Sequence, residues 1–178
     1  MLIPRQTVPE LVVETVAGGT FDLATDSPEF ATLVVFYRGL HCPICATYLK
    51  ELERLTPEFE QRGVKTVAIS SDTEDRARQM ADKVGARTLR FGYGLSLSKA
   101  KDWGLFISTS RGATSIGIDE PMLFSEPGIF LVRPDKTLYF SAIQTMPFSR
   151  PHFQEMVGAL DFVQKNDYPA RGEYTGAV

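Results

Sequence analysis

Two apolar, β-branched runs, TLVVFY at 32–37 and VKTVAIS at 64–70, flank a single stretch with helical periodicity. The first run shows no polar alternation. It reads as a strand buried on both faces, which requires a sheet covered on both sides. Between the runs, Ile44, Tyr48, Leu52, Leu55 and Phe59 recur at helical spacing and predict a helix over about 44–61. Pro57 falls inside it and is expected to kink or split it.

The remaining segments extend this frame. Leu11–Thr15 and Thr20–Leu23, around Gly18-Gly19, read as a short hairpin. Asp72 is predicted to cap a helix carrying Glu74 and Asp75 in its first turn and stopping at Gly85. A short helix is predicted over 98–103, and LFIST and SIGID are expected to pair around SRGA within 105–127. Residues 129–133 and 137–142 form a hairpin around Pro134-Asp135, and a last helix covers about 150–165. The sum is one α/β domain over 1–166, with a central mixed sheet, helices on both faces and a loosely held tail at 167–178.

Bulk properties narrow the function classes. With 178 residues, 43% hydrophobic content and 23% charged content, the chain reads as a soluble globular domain. Net charge is −3 without a basic run, which argues against a nucleic-acid partner. No stretch approaches the ~20 apolar residues that cross a bilayer, and no membrane partner is expected. The opening MLIPRQTVPELVVETV lacks a signal-peptide core, so the expected location is cytoplasmic.

In such a compartment a close cysteine pair is more often catalytic or metal-binding than a structural staple. The chain has two cysteines, Cys42 and Cys45, in RGLHCPICATYL. Pro43 suits the first helical position, which makes Cys42 the cap and sets Cys45 at the end of the first turn. That spacing brings both side chains to one face of the helix, and its positive end favours a thiolate. Zinc needs about four ligands, and beyond the pair only His41 and His152 are offered. No metal and no cofactor are expected. Two small buried residues at a helix start are the bland alternative; redox work is the stronger reading.

A strand followed by C-P-x-C opening a long helix resembles the thioredoxin fold. The longer layout more closely resembles the AhpC/TSA peroxiredoxin-like proteins, through FYRGLHCPIC, the VAIS-SD strand end and PGIFLVRPDKTLYF. The resemblance implies a thioredoxin-like, peroxiredoxin-type three-layer α/β/α domain over about 8–165. It also implies a thiol-dependent antioxidant oxidoreductase that takes a hydroperoxide or disulfide substrate. The external reductant would be a thiol such as thioredoxin, glutaredoxin or glutathione. A homodimer is in keeping with the family, though no interface is legible.

The resemblance leaves the attacking sulfur open. The places of the peroxiredoxin motif's proline, hydroxyl residue and attacking cysteine fall on Arg38, Cys42 and Cys45. Thioredoxins attack with the first cysteine, here Cys42. The activating arginine of the peroxiredoxin late strand is replaced by Pro127, where thioredoxins hold a cis-proline. The thioredoxin proton-shuttle aspartate is replaced by Phe36.

Arg38 is a candidate substitute cation and His41 a candidate modulator of the pair. Arg150 and His152, read as the first turn of the last helix after a Ser149 cap, sit where cations are unfavourable. They are candidate substrate-binding residues, and Met122, Phe124, Met146 and Phe148 are candidate lining residues of an apolar groove. Peroxide reduction with Cys45 attacking leads, and disulfide reduction with Cys42 attacking follows. A redox sensor without turnover is the non-enzymatic alternative.

Overall fold

A computed structural model describes residues 2–178. The strands are β1 (Val12–Thr15), β2 (Thr20–Asp22), β3 (Ala31–Phe36), β4 (Val64–Ile69), β5 (Arg90–Tyr93), β6 (Ile107–Thr109), β7 (Leu123–Ser125), β8 (Gly128–Val132) and β9 (Leu138–Ile143). The helices are α1 (Pro43–Glu60), α2 (Glu74–Val84), α3 (Leu97–Asp102) and α4 (Phe153–Lys165).

Seven strands form one mixed sheet in the order β2-β1-β5-β4-β3-β8-β9. β3, β4 and β5 run parallel, while β8 pairs antiparallel with β3. β3 is therefore an interior strand, between β4 and β8, and every residue in it is buried. Its alternating side chains supply two cores. Leu33, Val35 and Tyr37 join α1, α2 and α4 through Leu49, Leu52, Met80 and Phe153. Val34 and Phe36 face the other way, where Phe36, Trp103 and Phe130 pack edge-on with ring centroids 5.0–5.6 Å apart.

α1 buries one stripe, Leu49, Leu52, Leu55 and Phe59, on the sheet. Each such side chain stabilises the fold by about 1.5–3 kcal/mol. Pro57 does not split this helix, which runs on to Glu60. No helix among the described residues is long and apolar enough to cross a membrane.

Several sequence expectations change. α2 is capped by Thr73, whose hydroxyl accepts from the Arg76 N–H; Asp72 lies one residue too early and turns inward. RFGY forms β5, a four-residue strand with too short an apolar pattern to mark it in the sequence. LFIST does not pair with SIGID: β6 pairs with β7, and the intervening segment closes on itself through an isolated Ala113–Asp119 bridge and backbone hydrogen bonds such as Glu120 N–H to Gly112 and Thr114 N–H to Ile118. α4 begins at Phe153 with His152 at the cap, so Ser149 is no cap and Arg150 stands outside the helix. Contacts also tie the segment after Asn166 to the sheet: Tyr139 donates to the Tyr168 carbonyl and Arg5 to the Ala170 carbonyl.

Candidate active site

At the carboxyl end of β3 the chain leaves the sheet through Tyr37 and Arg38, turns at Gly39 and enters α1 at Pro43. Cys42 is the N-cap, with φ −98° and ψ 103°, and its sulfur accepts the Cys45 backbone N–H at 3.3 Å. This sulfur takes the place that a Ser or Asp oxygen ordinarily fills at a helix start. Both cysteines are buried and free, Cys45 completely and Cys42 nearly so.

The cation over the pair comes from a distant part of the chain. Arg150 Nη2 is 3.2 Å from Cys45 Sγ and 3.9 Å from Cys42 Sγ. Its Nε–H donates to the Pro147 carbonyl, and its Cζ lies 5.1 Å from the centre of the Tyr48 ring. The Tyr48 hydroxyl donates to the Pro151 carbonyl, and its ring stacks on Phe153. Tyr48, read from sequence only as an apolar helix position, thus supports the arginine from below. Burial opposes the Arg150 charge, but the Cys45 and Cys42 sulfurs hold it firmly cationic.

The two thiols separate in acidity. A hydrogen bond from the Cys45 thiol, then the Cys45 N–H, Arg150 and Arg38, outweigh burial and lower Cys42 to about 6. Burial pushes Cys45 up, and its bond to Cys42 and the charge on Cys42 add to this. The pair therefore holds one negative charge, centred on Cys42, with the proton on Cys45.

Arg38 is not the cation over the sulfurs. Its Nη2 pairs with Glu120 at 3.2 Å and its Nε with Glu126 at 3.3 Å, while its Cζ lies 4.6 Å above the Phe124 ring. Ser108 donates to Glu126 at 2.6 Å, so the β6–β7 hairpin is clasped to the start of the cysteine loop. His41 is buried, edge-on to Phe124, with Nδ1 3.5 Å from Arg76 Nη2. Burial, then Arg38 and Arg76, lower it to about 4, and it is neutral near pH 7.

Pro127 is buried ahead of β8, where its carbonyl accepts from Gln144. The 126–127 bond is trans, as is every peptide bond among the described residues, contrary to the cis bond that the thioredoxin resemblance implied. Glu126 fits this path because its N–H donates to Phe106 while its side chain is held by Arg38 and Ser108.

His152 is exposed at the α4 cap and does not join the site. Arg38, Phe124, Pro147 and Phe148 line a cavity of about 590 Å³ beside the cysteine loop. Phe148 is exposed at its wall and Phe124 is buried, while Met122 and Met146 are exposed but do not line it, so the four do not form the expected apolar groove.

A cysteine sulfur capping a helix N-terminus, a second buried thiol beneath it and an arginine over both stand at the strand end of a thioredoxin-like sheet. Residues 4–141 match the AhpC/TSA family, and the chain belongs to it. A 1-Cys peroxiredoxin of Onchocerca volvulus is 29% identical over 130 residues, covering 68% of this chain and 56% of its own length. A 1-Cys peroxiredoxin of Dictyostelium discoideum is 30% identical, covering 70% of this chain and 49% of its own. The chain thus spans about half the length of the curated relatives it matches. Among solved structures, peroxidoxin BcpB of Mycobacterium tuberculosis superposes with a TM-score of 0.71 at 16% identity, over 92% of this chain and 99% of that one.

Proposed function

We propose that this chain is a peroxiredoxin-like thiol peroxidase, an oxidoreductase that cycles between the Cys42/Cys45 dithiol and an intramolecular disulfide. One observation carries the reading: Arg150 touches both sulfurs and has no carboxylate partner among the described residues, so its counter-charge must come from the thiols. Arg150 is half-buried; a cation partly withdrawn from water without a partner carries a cost that a thiolate removes.

The acidity order favours Cys42 as the first nucleophile. Its thiolate attacks the hydroperoxide, the O–O bond breaks, and Cys42 becomes sulfenic acid. The leaving alkoxide takes a proton and departs as the alcohol; the Cys45 thiol is the nearest donor. The Cys45 thiolate, now stabilised by Arg150 at 3.2 Å, then attacks the Cys42 sulfur. An S–S bond forms as the S–O bond breaks, and the sulfenic oxygen takes a proton from solvent and leaves as water. An external thiol reductant, such as thioredoxin, glutaredoxin or glutathione, returns both cysteines to the thiol form by exchange.

The same order of attack supports a second reading, reduction of a partner disulfide by Cys42 with release by Cys45. A free dithiol pair suits a reducing compartment, which favours a cytoplasmic setting. Steady-state turnover with a hydroperoxide and a thiol reductant tests the peroxidase reading. Consumption that is lost in Cys42→Ser supports it, and no consumption above that of free cysteine overturns it.

A further inference from the structure

A second charged cluster, Asp72 and Arg76, packs against the cysteine loop. Asp72 is buried, and its two oxygens have separate partners. Oδ2 accepts the Leu40 backbone N–H at 2.7 Å, and Oδ1 accepts the Arg76 Nε–H at 3.1 Å. Arg76 reaches on with Nη2, which is 3.5 Å from His41 Nδ1 and donates to the Asp119 carbonyl at 3.3 Å.

Gly39, at φ +136°, lies against the same carboxylate: a Cβ there would stand 2.8 Å from Oδ2 and 2.9 Å from Oδ1. Glycine is required at that backbone angle and at that approach. The next link reaches the nucleophile directly, because the Cys42 N–H donates to the Gly39 carbonyl at 3.1 Å.

Helix capping does not explain Asp72, since Thr73 caps α2. A buried carboxylate is costly unless its oxygens are matched, and burial raises the Asp72 carboxyl above its ordinary range despite both donors. The three residues that precede Cys42 are thus held by one acid–base pair from another element.

We propose that Asp72 and Arg76 are positioning residues for the reaction proposed above, on which this inference rests: they hold Gly39–His41 so that the Cys42 sulfur stays on the Cys45 N–H. They touch neither sulfur and act through the backbone. Releasing them lets the cap geometry of Cys42 relax and weakens the bond that favours its thiolate.

The test is the pH dependence of Cys42 alkylation by iodoacetamide, read by peptide mass, in reduced wild type, Asp72→Asn and Gly39→Ala. The alkylation midpoint is expected to rise by about one pH unit in both variants, which slows alkylation at pH 6 by about fivefold to tenfold. Rates converge above the ordinary thiol value. A role through charge alone predicts the opposite sign for Asp72→Asn, because removing a negative charge favours the thiolate, and no change in Gly39→Ala. A purely structural role lowers the melting temperature and leaves the midpoint in place. Either result overturns the proposal, and where Gly39→Ala does not fold, the sign of the Asp72→Asn shift decides. Peroxide turnover of the wild type is measured in parallel, so failure of the peroxidase reading shows there and not in the alkylation midpoints.

Discussion

Arg150 Nη2 lies 3.2 Å from the Cys45 sulfur, although the two residues are 105 positions apart in the chain. The guanidinium is set by Tyr48 beneath it and the Pro147 carbonyl beside it. Arg150→Met removes the one cation that touches both sulfurs. Cys42 should become less acidic by about one pH unit, cutting the thiolate fraction and the hydroperoxide rate about twofold near pH 7 and about fivefold near pH 6. Arg150→Lys keeps the charge but not the fork, and should recover only part of the rate. Stopped-flow peroxide consumption distinguishes the two variants.

The separation in acidity predicts a pH profile. Cys42 is lowered from its ordinary 9.0 to about 6, so its alkylation should have a midpoint near pH 6. A depressed folded-state value means that folding releases this proton between those limits. Its contribution to stability is complete above 9.0 and is lost as pH falls through about 6. Cys45, pushed up by burial, works in the opposite sense at pH above its ordinary value and leaves that window untouched. The melting temperature of the wild type should therefore rise relative to Cys42→Ser across the window.

Arg38 holds Glu120 and Glu126, all three largely buried. Arg38→Leu leaves two facing carboxylates without their cation. Breaking a buried pair in this way costs about 3–5 kcal/mol, which for a chain of this size lowers the melting temperature by roughly 10 °C. Thermal denaturation monitored by circular dichroism gives the value. An unchanged melting temperature would show that the clasp between the β6–β7 hairpin and the cysteine loop contributes little.

The parts of the fold legible in sequence are those with local signals. The unbroken apolar run of β3, the helical stripe of α1, Pro43 at its first position and Gly85 after α2 each carry their own physical reason. Cys42 as the cap and Cys45 at the end of the first turn follow from the same kind of argument, and the AhpC/TSA family was legible from the motifs around them. Arg150 shows the limit. As a cation in a first turn it reads as a candidate substrate-binding residue, whereas its partners are sulfurs over a hundred positions away.

Asp72 and Thr73 are adjacent residues of the same capping type, so periodicity could not choose between them. β5 has only four residues, and its Gly92 breaks the strand pattern because Val13 packs where a side chain would stand. β7 pairs with β6 across a long excursion, and no tight-turn signal marks that register.

Whether Cys42 makes the first bond to the oxidant is decided by locating the first sulfenic acid. Cys45→Ser is treated with one equivalent of hydroperoxide, trapped with dimedone and mapped by peptide mass, with Cys42→Ser handled in parallel. Rapid labelling of Cys42 in Cys45→Ser and little labelling of Cys45 in Cys42→Ser are expected. Rapid labelling of Cys45 in Cys42→Ser, with Cys42 unlabelled in Cys45→Ser, would contradict Cys42 as the first nucleophile.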